Sequence, residues 1–559
     1  MRRWRRALYW AAGVALLAGL AALAAGQHDR RPAAPGEVRF SKPSGFYEEA
    51  FYLELDVDGG DIYYTLDSSD PSENGIPYTG PIRIQDASPN PNVYSNITDV
   101  SIYFDKELLD RNNATHYRSY QVPDQPVDKA TVVRAVSIGQ DGRPGQPGDA
   151  VYFVGFGDKD GYEGMNIMSI ATDPANLFDA EKGIYVLGNS FYETLSDGYV
   201  KDGGNNPFMW AANYRRRGMD WERPAAIHCF GANGEAVFSG QYGIRIQGKS
   251  NRASLPKNLN IYVRKKYGSG EIDTGGLFES RYLLNRMMLY YGENDLLLAD
   301  YLAEAMTDDL DITDRDMAPC VMFLNGEYWG VYWLAPKFKA DYMSQEYGVD
   351  SRNIIVIKHG HAEVGQEEDE TLYQEMVAYI AGNDMSDPAC YERACELLDI
   401  QSAIDYFAAE IYLANTDWPD NNVSLWRSRY KEDSPFGDCR WRWMLYDLEQ
   451  GMVAGGKVDV LKLAINRDPV FASLMKNEGF SAALSQKLVA YTEDTFAPER
   501  VSAFIEAYKQ RMAGPIEKKY QRFNHEALSL ADFYEGCDRI DLFFRERPDT
   551  IIKQYGGTE

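Results

Sequence analysis

Positive charge is what this 559-residue sequence is short of: 57 lysines and arginines stand against 84 aspartates and glutamates, a formal net charge of −27. An acidic surface repels phosphate backbones, which argues against nucleic acid as a partner. Any nucleotide would have to be held by a few focused cations and a metal. Histidine is scarce, six in all, and neither a CxxC pair nor an HExxH motif occurs. A zinc centre is therefore not indicated, and His359 and His361 in IKHGHAE read as a polar loop rather than a ligand pair. The six cysteines, Cys229, Cys320, Cys390, Cys395, Cys439 and Cys537, are too few and scattered for a disulfide framework and are expected as buried free thiols. No solenoid repeat is visible.

Apolar and aromatic residues are plentiful, at 45% and 13%, enough for two or three folded domains in a chain of this length. The first six residues hold four arginines, followed by an apolar run from Ala7 to Ala25 and small residues, the pattern of a secretory signal or a membrane anchor within residues 1–35. Export or anchoring at a bacterial cell envelope is the expected localisation, with membrane contact through this segment alone.

Residues 36–157 alternate in short runs (FYLELDV, DIYYTLD, TVVRAVSI, AVYFVGF) separated by turn residues, which predicts a small β-sandwich. Its segment IYYTLDSSDPSENGIPYTGPIRI resembles the immunoglobulin-like domain at the C-terminus of chitobiase and hexosaminidase chains, an accessory module read here as a spacer. A chain starting near Gly161 is accordingly expected to keep its chemistry. Residues 162–470 mix strands and helices, including a hairpin turning at Asn325-Gly326. Residues 471–559 are largely helical, with a break expected at Gly514-Pro515.

The stretch NTDWPDNNVSLWR, residues 415–427, places Asp417 and Asn422 five positions apart in a turn, and Asp447 ends the aromatic run RWRWMLYD. Phosphoryl transfer needs a metal on carboxylate and amide oxygens, a cation on the phosphates and an acid for the hydroxyl proton. Protein kinases use this Asp-x4-Asn spacing followed by a later metal-binding Asp. Two other readings fit the same residues: side chains that merely cap a helix-to-strand turn, or a glycosidase pair of Asp417 and Asp447.

Six segments in order, LFDAEKGIYVLGN, WERPAAIHCF, YGIRIQGKSNRASLPKNLNIYVRKKYG, FLNGEYWGVYWL, IIVIKHG and the Asp417 to Asp447 stretch, resemble the spore coat protein H (CotH) kinase family over residues 165–550. The resemblance implies an α+β atypical protein-kinase-like fold after the sandwich, use of ATP with Mg²⁺ or Mn²⁺, and Ser/Thr phosphorylation of an envelope, extracellular or spore-coat protein. Carried over by position, Asp417 is the catalytic acid, and Asn422 and Asp447 hold the metal. Lys257 holds the nucleotide phosphates with Arg252 beside it, and Glu304 pairs with Lys257.

This chain departs from the family pattern at Pro336-Lys337, where a Glu-Lys pair is usual, and at Asn258, where Ser is usual. The retained acids and amide favour an active enzyme. The alternative is a catalytically inactive kinase-like protein that serves surface or envelope assembly by binding.

Overall fold

The computed structural model describes residues 36–556 except 103–105, 114–120, 202–203, 205, 269, 292–295, 454–456 and 524–527. The expected signal or anchor, residues 1–35, lies outside the described residues. Among the described residues, no helix is long and apolar enough to cross a membrane.

The first layer is a β-sandwich. A five-stranded sheet joins Gly45–Tyr47, Gly148–Val154, Thr131–Ile138, Asp61–Thr65 and Ile76–Pro77. Two short pairs, Phe51–Leu53 with Ile82–Ile84 and Arg39–Phe40 with Leu55–Asp56, complete it. Strand alternation splits the side chains between two cores. Val133, Ala135, Ala150, Tyr152 and Val154 pack inside the sandwich, while Val132, Val151 and Phe153 point the other way into the main core of the protein. Residues 85–130 were expected to continue the run of strands. Instead they carry short helices whose Tyr94, Leu108 and Leu109, with Val100 from the turn between them, also join the main core.

The sandwich is thus no tethered spacer. Phe153 and Phe156 stack edge-on against Phe323 at 5.0 and 5.6 Å, and Phe46 meets Phe230 at 5.3 Å. Glu327, buried at the hairpin turn, accepts from the backbone N–H of Val93 at 2.6 Å and of Ser95 at 2.7 Å.

Phe230, Phe323 and Glu327 belong to a closed seven-stranded barrel: Asn166–Ala171, Arg223–Phe230, Ala236–Ile246, Leu259–Tyr262, Arg286–Tyr290, Glu327–Pro336 and Ala318–Leu324. The last two form the expected hairpin, and Asn325 (φ 49°) and Gly326 (φ 86°) both take the left-handed conformation that a two-residue Asn-Gly turn requires. Every residue of these two strands is buried. A four-stranded antiparallel sheet follows (His361–Val364, Ile354–Lys358, Ser424–Ser428, Arg442–Trp443), flanked by the helices Asp369–Gly382, Pro388–Leu397 and Ile400–Tyr412.

The C-terminal part is helical, ending in Pro498–Phe523 and Leu530–Tyr555. The break expected at Gly514-Pro515 does not occur, for the first of these helices runs through Pro515. Packing overrides the proline penalty there. Ile505, Tyr508, Met512, Ile516 and Phe523 are buried on one face, and Gly514 lies so close to Gly161 that an added Cβ would stand 3.0 Å from its Cα. All six cysteines are free; Cys229, Cys320 and Cys537 are buried, whereas Cys390, Cys395 and Cys439 are only partly covered, a correction to the expectation for those three.

Candidate active site

The helix Ile400–Tyr412 delivers the first acid. From Ser402 onward every residue of it is buried, so its direction is fixed by packing. Arg547 of the last helix, itself fully buried, donates to the carbonyls of Tyr412 at 2.8 Å and Ile411, and to Val458 at 2.6 Å. A cation satisfying the last carbonyls of a helix is favourable, and here it anchors the segment just before the loop. Ala414 turns left-handed (φ 54°) and the buried Asn415 links both sides, donating to Glu410 at 2.9 Å and accepting from the Asp417 N–H at 3.2 Å.

Trp418 then drives inward among Tyr406, Phe407 and Phe471, with ring centroids 5.9–6.3 Å away. Its neighbours are left facing out. Asn421 and Asn422 donate from their Nδ2 atoms to Asp417 Oδ1 at 2.8 Å and Oδ2 at 3.1 Å. Both carboxylate oxygens are thereby oriented, and the amide oxygen of Asn422 is the atom it has available for a cation.

Asp447 arrives from the neighbouring strand Arg442–Trp443. Met444 N–H donates to Ser424 O at 3.0 Å and Leu445 N–H to Thr313 O at 2.7 Å, which carries the chain back beside the loop. Asp447 is left-handed (φ 63°), and the next N–H, that of Leu448, is held at 2.5 Å by Asp300 Oδ1. Asp417, Asn422 and Asp447 line one cleft of about 1000 Å³, together with Arg252, Lys337 and Lys358. This size lies at the top of the range for small-molecule sites.

Two expected site residues are elsewhere. Lys257 is fully buried; its Nζ donates to the carbonyls of Arg252 at 2.7 Å and Ser254 at 3.3 Å. Burial, with Arg252 close by, holds its pKa well below the usual lysine range. Enclosed in this way, it does not reach the cleft, which corrects its assignment to the nucleotide phosphates. The signal was present in strand parity: Lys257 shares its face with Leu259 and Ile261, both in the core, whereas Asn260 and Tyr262 line the cleft.

Glu304 is the second. No ion pair joins it to Lys257 among the described residues; its Oε1 accepts from Met317 N–H at 3.3 Å, and burial beside Asp314 and Asp316 raises its pKa well above the usual carboxylate range. The acid on its helix that does touch the site is Asp300, one turn earlier. Arg252 borders the cleft, but its guanidinium is committed to the carbonyls of Gly248 (2.8 Å), Tyr214 (2.9 Å) and Arg216 (3.0 Å), so it shapes the loop rather than offering free donors.

The cations at the floor are instead Lys337 and Lys358. Burial, then the nearby Arg315, Lys358, Lys339 and Arg286, lowers Lys337 to about 7. Burial also lowers Lys358, against the opposing pull of Asp447 and Glu363. Glu410, behind the loop, is raised to about 8 by burial, with Asp300 and Asp447 adding to it, despite the hydrogen bonds from Asn415 and Tyr406. In the barrel wall, Arg245 Nε, Gln247 Oε1 and Asn260 Oδ1 are buried without a hydrogen-bond partner, polar atoms of the kind a bound ligand satisfies.

Among the described residues, no group of three or more His, Cys, Asp or Glu side chains forms a metal-holding set. One or two carboxylates and an amide oxygen are nonetheless the donors a hard cation takes when phosphate oxygens and water complete its shell, so Asp447 and Asn422 fit a nucleotide-borne divalent metal.

The family described as CotH kinase protein matches residues 244–551, 308 of the 559, and a domain described as Fn3 associated matches residues 52–145. No curated protein matches. Among solved structures, the crystal structure of a Helicobacter pylori proinflammatory kinase, CtkA, is similar at 8% identity and a TM-score of 0.23, covering 51% of this chain and 95% of that one. With more than half of its length, including the whole acidic constellation, inside the family match, the chain belongs to the CotH kinase family.

Proposed function

We propose that the protein transfers the γ-phosphoryl group of ATP to a serine or threonine hydroxyl of a protein outside the cytosol. The observation that carries this reading is the meeting of Asp417, Asn422 and Asp447 with Lys337 and Lys358 in one cleft. A glycosidase would leave these lysines without a task, and a turn-capping role would not require Asp447 to be brought alongside.

In the reaction, a bond forms between the acceptor hydroxyl oxygen and the γ-phosphorus, and the bond from that phosphorus to the β,γ-bridging oxygen breaks. The hydroxyl proton passes to the Asp417 carboxylate, whose two oxygens are aimed by Asn421 and Asn422, and ADP leaves. Lys337 and Lys358 supply positive charge against the phosphates. Asp447 and Asn422 would hold a divalent metal, which when bound neutralises charge on the phosphate oxygens. Asp300 holds Asp447 in place through the Leu448 N–H. Export or anchoring by residues 1–35 belongs to the proposal.

Incubating the purified chain with labelled ATP and Mg²⁺ or Mn²⁺ tests it. Label transferred to protein, and lost in Asp417→Asn, supports the reading. A folded chain that binds the nucleotide but transfers no label to itself or to a protein acceptor favours the binding-only alternative.

A further inference from the structure

The cleft inverts the charge of the chain. Of the charged residues that line it, seven are cationic and four acidic, against 57 and 84 in the whole sequence. Lys337, Lys358 and Arg245 belong to the floor and inner wall and are partly buried, Lys358 within the field of Asp447 and Arg245 Nε 3.8 Å from Glu222. A second group stands at the mouth. Arg216, Arg217 and Lys249 are exposed on its rim, and the segment between strands Ala236–Ile246 and Leu259–Tyr262 carries the last of them.

This rim is built, not incidental. Arg217 donates to Gly248 O at 2.9 Å and Arg215 to Lys249 O at 3.0 Å, while the buried Arg252 ties Gly248 to Arg216 through their carbonyls. Gly248 is left-handed (φ 112°), and a Cβ there would collide with Asn251 Oδ1 at 1.7 Å, so the loop admits only glycine. Among the described residues, no carboxylate lies within ion-pair distance of Arg215, Arg216, Arg217, Lys249 or Arg252; crowding by Arg217 and Arg215, after burial itself, helps lower Arg252 to about 10. Elsewhere the arginines of this acidic protein find acids readily, as Arg442 does with Asp399 and Asp438, both at 2.7 Å. Like charges gathered without counterions in an acidic chain are costly unless an anion arrives from outside.

Resting on the kinase reading above, we propose that the Arg216, Arg217 and Lys249 rim is the docking surface for an acidic acceptor segment, one in which Asp, Glu or phosphorylated residues flank the target hydroxyl. The floor cations lie deep enough to serve the nucleotide. The exposed rim meets what approaches from solvent, and there a negatively charged polypeptide is drawn in rather than repelled. Guanidinium groups suit carboxylate and phosphate oxygens through paired donors.

The test uses the full chain and three synthetic peptides with one central serine, flanked by glutamates, by alanines or by lysines. Binding is read by fluorescence anisotropy without nucleotide, at two ionic strengths. The glutamate peptide should bind about tenfold or more tightly than the lysine peptide, with affinity falling as salt rises. Lys249→Glu, at a lysine whose side chain makes no hydrogen bond among the described residues, and Arg216→Glu should each remove most of that preference while changing Mg²⁺-ATP affinity less than about twofold. Equal binding of the three peptides overturns the proposal. So does a loss of Mg²⁺-ATP affinity in these variants as large as the loss of peptide affinity, which assigns the rim to the nucleotide. The kinase reading fails separately, through absence of label transfer by the parent chain, while the anisotropy result stands by itself.

Discussion

The Nζ of Lys257 stands 3.8 Å from the centre of the Tyr214 ring while it donates to Arg252 O at 2.7 Å, so this lysine fastens the loop at residues 247–254 to the segment that carries the arginine rim. Lys257→Met should expose that role. Two carbonyls lose their donor, which costs about 1–3 kcal/mol, and amide exchange should accelerate across residues 247–254. A variant with parental melting temperature and loop protection but strongly weakened Mg²⁺-ATP binding would return Lys257 to the phosphates.

The two acids of the cleft should separate experimentally. Asp447→Asn removes the charge a divalent cation most needs, so metal-dependent nucleotide affinity should fall while the melting temperature stays near that of the parent. Asp417→Asn should bind Mg²⁺-ATP nearly as the parent does and transfer at least ~10²-fold more slowly, the scale of a lost proton acceptor. If both variants bind and turn over like the parent, these residues have been given the wrong roles.

Under the kinase proposal, Lys337 would make nucleotide binding a proton-linked event. With its folded pKa near 7, it is largely neutral at pH 8, and an arriving phosphate favours the charged form. Mg²⁺-ATP binding at pH 8 should therefore take up protons, detectable by calorimetry in buffers of different ionisation enthalpy, and Lys337→Met should abolish the uptake. The unfolded chain keeps this lysine protonated up to its ordinary value of 10.5. It therefore binds more protons than the folded state between about pH 7 and 10.5, and the group makes stability rise with pH across that window. The methionine variant should lose this part of the slope.

Removing the sandwich should unfold more than the sandwich. A chain beginning at Gly161 exposes Phe230 and Phe323 and strips the buried Glu327 of the Val93 and Ser95 amides. It should aggregate or melt well below the full chain. Glu327→Ala in the full chain should lower stability by about 2 kcal/mol, and a cooperative, soluble truncation with unchanged melting temperature would show that the shared core contributes little.

Local chemistry made part of this protein readable. The turn at Asn325-Gly326 and the Asp417 to Asn422 spacing are written in adjacent residues, and the structure has both where the pattern puts them. The floor of the cleft is not local. Lys337, just past the end of its strand, and Lys358 lie 80 and 59 positions before Asp417, and only barrel closure and sheet pairing bring them together with it. Asp300 and Glu304, one helical turn apart, could not be told apart by periodicity, since both lie on the same helix edge. Pro515 shows the opposite failure, in which a strong local rule yields to a long buried face. Lys257 was placed by the family resemblance alone, and the parity of its neighbours Leu259 and Ile261, both in the core, pointed inward instead.

Trp418 has a consequence for control. Wedged among three aromatic rings, it leaves the loop bearing Asp417 little freedom to swing between productive and unproductive positions. Many protein kinases are switched by ordering a mobile segment next to the metal-binding acid. Here the strands Ser424–Ser428 and Arg442–Trp443 pair directly on either side of the connecting loop, and all seven of their residues are buried. On the proposed reading, a kinase so arranged would stand ready once folded, with its output governed by supply: how much nucleotide reaches it, and when an acceptor is delivered to its rim.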